Sequence, residues 1–132
     1  MNKTRRKIIL VDDNLTNLDI GRKLLSELYQ IIPAKSAEKM FEVLNKVIPD
    51  LILLDVEMPG MNGYETIKKL KADLRFADIP VIFLTAKSDD GSEHEGLSLG
   101  AVDYVYKPFT KALLQECIEA HLAVSQTGDQ NA

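Results

Sequence analysis

Hydrophobic positions along the chain fall into two alternating regimes. Short apolar runs occur at Lys7–Val11, Ile31–Lys35, Leu51–Leu54, Val81–Leu84 and Val102–Tyr106, and longer stretches of helical spacing separate them. The first, third and fourth runs are continuous rather than alternating, as in strands covered on both faces. Ala37, Met40, Phe41, Leu44, Val47 and Ile48 line one face of a helix. Leu15, Leu18, Leu25 and Leu28 form a looser stripe after the first run. Asn62 followed by Glu65 has the form of a capping box, opening a helix with Tyr64, Ile67, Leu70 and Leu74 inward. A last helix from Thr110 carries Leu113, Leu114, Cys117, Ile118 and Leu122.

Five strands alternating with five helices predict an α/β fold, (βα)5, with a parallel sheet covered by helices on both faces. Pro33 lies inside the second run, and the missing N–H of a proline is tolerated mainly at a sheet edge. The second strand is therefore expected outermost, as a flavodoxin-like doubly wound sheet of order 2-1-3-4-5 requires. Ser88–Leu99 holds Gly91 and Gly96 and little apolar surface. It reads as a marginal surface helix or, alternatively, as an element soft enough to move. The chain divides into a basic leader over 1–6, one domain over 7–124 and a polar tail over 125–132 that is expected to fray.

Charge and composition narrow the class. Sixteen Lys+Arg against 20 Asp+Glu give a net charge of −4 over 132 residues, and the 45% hydrophobic fraction is that of a globular domain. The mild acidity gives no reason to expect nucleic acid as a direct partner. Runs such as Ile8–Val11 fall far short of the roughly 20 apolar residues that a membrane span needs. The lone Cys117 cannot form an internal disulfide, so a reducing, cytoplasmic setting is expected.

The chemistry sits where the apolar runs stop. Ile9-Leu10-Val11 runs into Asp12 and Asp13, and Leu51–Leu54 runs into Asp55. In a parallel sheet both runs end at one edge, the crevice where open α/β sheets bind ligands. Singly, each aspartate reads as a helix cap or turn residue. Together they do not, because two carboxylates about 4 Å apart repel by about 4 kcal/mol even at an effective dielectric near 20. A hard divalent cation relieves that repulsion, and Mg²⁺ favours carboxylate and phosphate oxygens. Two further strand ends supply a small hydroxyl donor, Thr85, and a cation, Lys107, held out of helical dihedrals by Pro108.

With VDDN at 11–14, DVEMPGMNGYE at 55–65, TA at 85–86 and GAVDYVYKPF at 100–109, the chain resembles the receiver domain of two-component response regulators, including those of chemotaxis. The resemblance spans Lys7 to Leu122 and implies the 2-1-3-4-5 order, which Pro33 supports independently. It implies that Asp55 is the phosphoacceptor, a carboxylate nucleophile. It further implies Mg²⁺ bound by Asp13, Asp55 and the backbone carbonyl of Glu57, with Asp12 acting largely through water. Lys107 and Thr85 then contact phosphoryl oxygens, and Tyr104 is the switch aromatic that turns inward as Thr85 moves.

The implied partners are a sensor histidine kinase or histidine phosphotransfer protein and a downstream effector protein or domain. Signalling is expected through the face of the fourth helix, fifth strand and fifth helix, with a phosphorylation-linked dimer left open. On this reading the chain is not an enzyme, since it catalyses only its own phosphorylation and dephosphorylation. No effector segment follows Leu122, so it reads as a single-domain regulator or as one receiver of a longer protein. Glu57 and Lys87 overhang the site and are expected to pair across its entrance, slowing attack by water.

Other candidates read as structural. His94 is expected to face solvent, and His121 lies near a helix C-terminus; neither has metal-ligand spacing. Cys117 reads as core filler. A phosphohydrolase with Asp12 as nucleophile would want a D-x-D pattern, and a flavin carrier would want a Ser/Thr-rich phosphate loop. Neither is present. A pseudo-receiver scaffold is disfavoured because all five key positions are intact.

Overall fold

Five parallel strands pair in the order β2-β1-β3-β4-β5. The computed structural model describes the backbone over residues 5–86 and 92–131, and side chains over 5–85 and 95–122. The strands are β1 (Lys7–Val11), β2 (Gln30–Ala34), β3 (Leu51–Asp55), β4 (Val81–Ala86) and β5 (Asp103–Lys107). Following each strand in turn are α1 (Leu15–Leu25), α2 (Ala37–Leu44), α3 (Gly63–Ala72), α4 (Ser92–Ser98) and α5 (Lys111–Asn131). The fold is flavodoxin-like, and Pro33 sits on the edge strand, opposite Leu10.

Side-chain alternation divides the interior in two. Ile9, Val11, Ile52, Leu54, Val81 and Phe83 face one layer, where Met40, Leu44, Ile67 and Leu70 of α2 and α3 meet them. Ile8, Leu10, Leu51, Leu53, Ile82, Leu84 and Val105 face the other, against Leu18 and Leu25 of α1 and Leu114, Ile118 and Leu122 of α5. The three central strands β1, β3 and β4 are thus buried on both faces, which is why their apolar runs are unbroken.

Local signals set the helix starts. Asn14 caps α1 by accepting from the Asn17 amide, and Ser36 caps α2 by accepting from Lys39. Asn62 and Glu65 form the reciprocal capping box of α3. Helix ends were less legible. Leu74, expected inward, is 94% exposed, because α3 stops at Ala72 and Asp73 is already extended. Likewise α2 ends at Leu44, leaving Ile48 exposed. The tail expected to fray is helical as far as Asn131, since extending a formed helix fixes one residue for each bond gained. Arg6 pairs with Asp50 at 3.2 Å, and Arg5 donates to the Ser26 carbonyl.

Candidate functional site

Strand register delivers the site. Val11 lies opposite Leu54, so Asp12 emerges beside Asp55; Asp55 lies opposite Leu84, and Thr85 opposite Tyr106. Carboxylate oxygens of Asp12, Asp13 and Asp55 all lie within 4.8 Å of one another, the one such acidic cluster among the described residues. Asp12 and Asp55 are 1% and 4% exposed, whereas Asp13 is exposed.

Lys107 joins the two buried carboxylates. Its Nζ donates to Asp12 Oδ2 at 2.9 Å and to Asp55 Oδ1 at 3.1 Å. The following Lys107–Pro108 bond is cis. Another Asp12 oxygen accepts from the Asn14 amide at 2.9 Å, which turns the chain into α1. Burial pushes the Asp55 carboxyl up to about 6, and the negative charge of Asp12 adds to this. Lys107 and a backbone hydrogen bond from Glu57 oppose the rise without cancelling it.

Alternation also separates two groups of residues. Asp12, Asp55 and Lys107 continue the rows of Leu10, Leu53 and Val105, on the side of α1 and α5. Thr85 continues the row of Val81 and Phe83, on the opposite side, where Tyr104 packs against Phe83 with ring centroids 5.6 Å apart. Thr85 is buried.

A further feature of the site lies at Gly63, the first residue of α3. A Cβ on Gly63 would stand 2.6 Å from the carbonyl oxygen of Asp55 and 2.8 Å from Cα of Val56. The Gly63 amide also donates to the Val56 carbonyl at 2.8 Å. The start of α3 is therefore pressed onto the chain just after Asp55, and only glycine allows it. The signal was the glycine after a capping asparagine, where propensity alone gives no reason for one.

The remaining candidates divide. Glu57 is exposed, while Lys87 and the side chain of His94 lie outside the described residues. His121 Nε2 lies 3.2 Å from Asp103 Oδ2, and the Cys117 thiol donates to the same oxygen at 3.1 Å. Burial and that carboxylate push the thiol up to about 12, so Cys117 stays protonated and inert. A cleft of about 410 Å³ at the β2 edge, lined by Leu18 and Pro33 among others, includes none of the three aspartates.

The family model of the response regulator receiver domain matches residues 8–119. The chain belongs to that family. It is 41% identical over 92% of its length to a probable cyclic di-GMP phosphodiesterase of Vibrio cholerae, and spans 28% of that protein. It is 36% identical over 96% of its length to the phosphate regulon transcriptional regulatory protein PhoB of Pseudomonas aeruginosa, and spans 56% of it. The chain thus covers between about a quarter and just over half of these two relatives.

Among solved structures, it resembles the receiver domain of a sensor histidine kinase of Pseudomonas aeruginosa, with 27% identity and a TM-score of 0.83. That match covers 91% of this chain and 99% of the other, which holds a magnesium ion coordinated in its active-site cleft. The receiver domain described here presents the acidic cluster of Asp12, Asp13 and Asp55. Among its described residues, no helix is long and apolar enough to cross a membrane.

Proposed function

We propose that this receiver domain accepts a phosphoryl group on Asp55 from a phosphohistidine donor, either a sensor histidine kinase or a histidine phosphotransfer protein. The observation that carries the reading is the contact of buried Asp55 with Lys107 inside a three-carboxylate cluster. Burying like charges has no structural rationale here, since two neighbouring carboxylates cost stability until countercharge arrives.

The donor set is all oxygen and holds three negative charges against one lysine, which suits Mg²⁺ rather than a soft metal. Asp13, Asp55 and the backbone carbonyl of Glu57 would hold the ion, with Asp12 acting largely through water. When bound, it supplies positive charge to the phosphoryl oxygens. An Asp55 carboxylate oxygen forms the bond to phosphorus as the bond from phosphorus to the donor histidine nitrogen breaks. The electron pair leaves with that nitrogen, which takes up a proton. Lys107 exchanges a carboxylate partner for a phosphoryl oxygen, and Thr85 donates to another. Catalysis of this kind is positioning and charge neutralisation.

The same geometry supports a reading of the donor and output surfaces. A cleft of about 240 Å³, lined by Asn17, Ile20, Lys107, Pro108 and Phe109, opens beside the lysine and supports approach of the donor over α1. Movement of Thr85 and Tyr104 passes the signal to the α4-β5-α5 face, where Leu97 and Val102 are exposed to a downstream effector. The chain works in the cytoplasm and turns over nothing but its own phosphoryl group. Incubation with Mg²⁺ and acetyl phosphate, followed by intact-mass measurement, tests the assignment. The parent gains one phosphoryl adduct and Asp55→Asn gains none; an adduct that survives the substitution refutes it.

A further inference from the structure

Helix α4 approaches the sheet closely at Gly96. A Cβ placed there would overlap the Tyr104 hydroxyl and stand 2.8 Å from both Cδ2 and Cε2 of Phe83. Phe83 is fully buried, packed edge-on against Tyr64 with ring centroids 5.4 Å apart, so its ring has nowhere to retreat. The Gly96 carbonyl meanwhile accepts from the amides of Leu99 and Ala101, tying this residue to the turn that leads into β5. Gly96 has no positive φ, unlike Gly60 and Gly100. Space, not backbone conformation, is what calls for glycine here. In a seven-residue helix a mid-helix glycine is otherwise a liability compared with alanine.

We infer that Gly96 is a positioning residue that seats the Tyr104 ring under α4, so that the position of Tyr104 and the position of α4 are set by one contact. The inference rests on the reading of Asp55 as phosphoacceptor and of Thr85 and Tyr104 as its relay. It adds the element that receives their movement. With Gly96 in place, the Tyr104 hydroxyl fits beneath the α4 backbone while the ring stays on Phe83. A methyl group at position 96 forces either Tyr104 outward or α4 away from the sheet, and in both cases the contact is lost. Alternation puts Phe83, Thr85 and Tyr104 on this face of the sheet and Asp12, Asp55 and Lys107 on the other. Loss of the contact therefore leaves the acceptor Asp55 and its neighbours Asp12 and Lys107 in place.

The test uses the full chain labelled with fluorotyrosine. The Tyr104 fluorine resonance is identified by its disappearance in Tyr104→Phe, and buried Tyr29 reports on the fold. In Gly96→Ala the Tyr104 resonance is expected to shift at rest and to lose its response to acetyl phosphate with Mg²⁺. Intact mass shows that the Asp55 adduct still forms, and the Tyr29 resonance stays in place. A Tyr104 resonance that rests and responds as in the parent overturns the inference. If the parent itself takes no adduct, the phosphoacceptor reading falls, while the resting resonance still decides the role of Gly96. Should Gly96→Ala fail to fold, it is examined in a Phe83→Leu background, which removes the ring atoms facing the new methyl. An unmoved Tyr104 resonance there, against Phe83→Leu alone, overturns the inference equally.

Discussion

Lys107 Nζ lies 3.1 Å from Oδ1 of Asp55, reaching from β5 past the intervening β4 to the end of β3. Burial alone would pull this ammonium down. The hydrogen bond to Asp12 and the charges of Asp55 and Asp12 outweigh it, and Lys107 is held above its ordinary value. The lysine is thus committed to the two carboxylates before any phosphoryl group arrives.

Removing that lysine leaves two buried carboxylates facing each other. Breaking a fully buried pair by deleting one partner costs about 3–5 kcal/mol; Lys107 is partly exposed, so Lys107→Ala is expected to cost about 2–3 kcal/mol at about pH 7.5. The loss shrinks towards about pH 5, because Asp55 then carries a proton and the repulsion falls away. Urea unfolding at the two pH values measures this. An equal loss at both would show that the lysine acts through packing rather than charge.

Asp55 itself weakens the resting fold. Its folded pKa of about 6 lies above the ordinary carboxylate value of 3.8. The folded chain therefore holds its proton more tightly than the unfolded chain. The resulting stability is fully present below 3.8 and is lost as pH rises through about 6. Asp55→Asn removes the ionisable group and is expected to unfold at a higher temperature than the parent near neutral pH, by on the order of 1–3 kcal/mol of stability. The advantage should narrow as pH falls below the folded value. Thermal denaturation in metal-free buffer across that range checks both the sign and the window.

Gly63→Ala sets two effects against each other. Alanine gains about 1 kcal/mol of helix propensity over glycine, but overpacking costs about 1–3 kcal/mol or more. Here the opposing atoms are backbone, the Asp55 carbonyl oxygen at 2.6 Å and Val56 Cα at 2.8 Å, so the cost prevails. The variant is expected to be less stable and, because the chain beside Asp55 must shift, slower to take the phosphoryl adduct. A melting temperature and an intact-mass time course read the two consequences separately.

Strand positions were legible because both faces of this sheet are covered, which leaves runs such as Leu51–Leu54 with no polar interruption. The carboxylate cluster was legible for a related reason: two such runs in one parallel sheet end at the same edge, so the aspartates that follow them meet in one crevice. What ended the helices was not visible in periodicity. Leu74 continues the stripe of α3 by spacing, yet the backbone leaves the helix at Asp73, whose side chain accepts from the Arg75 amide at 2.9 Å in a turn of its own. Nor could spacing reveal that Asp103 gathers Cys117 and His121, since that contact depends on how α5 lies across β5. The close approaches at Gly63 and Gly96 belong to the same class. A glycine is visible in a sequence, but the atom it makes room for is not.

Metal binding and protonation compete for Asp55. An ion held by Asp13 and Asp55 requires the ionised carboxylate, and the proton on Asp55 leaves only as pH rises through about 6. Mg²⁺ that binds the folded chain alone stabilises it by RT ln(1 + [L]/Kd), about 1.4 kcal/mol at ten times Kd. For a domain of this size that is a rise of roughly 4–7 °C in Tm. The rise is expected at about pH 7.5 on adding Mg²⁺ and to vanish on adding a chelator. At about pH 5 it should be smaller, since most of Asp55 is then protonated. Asp55→Asn should lose most of the effect at both pH values, because an amide brings no charge to the ion. A Mg²⁺-dependent rise of the same size in that variant would place the ion away from Asp55.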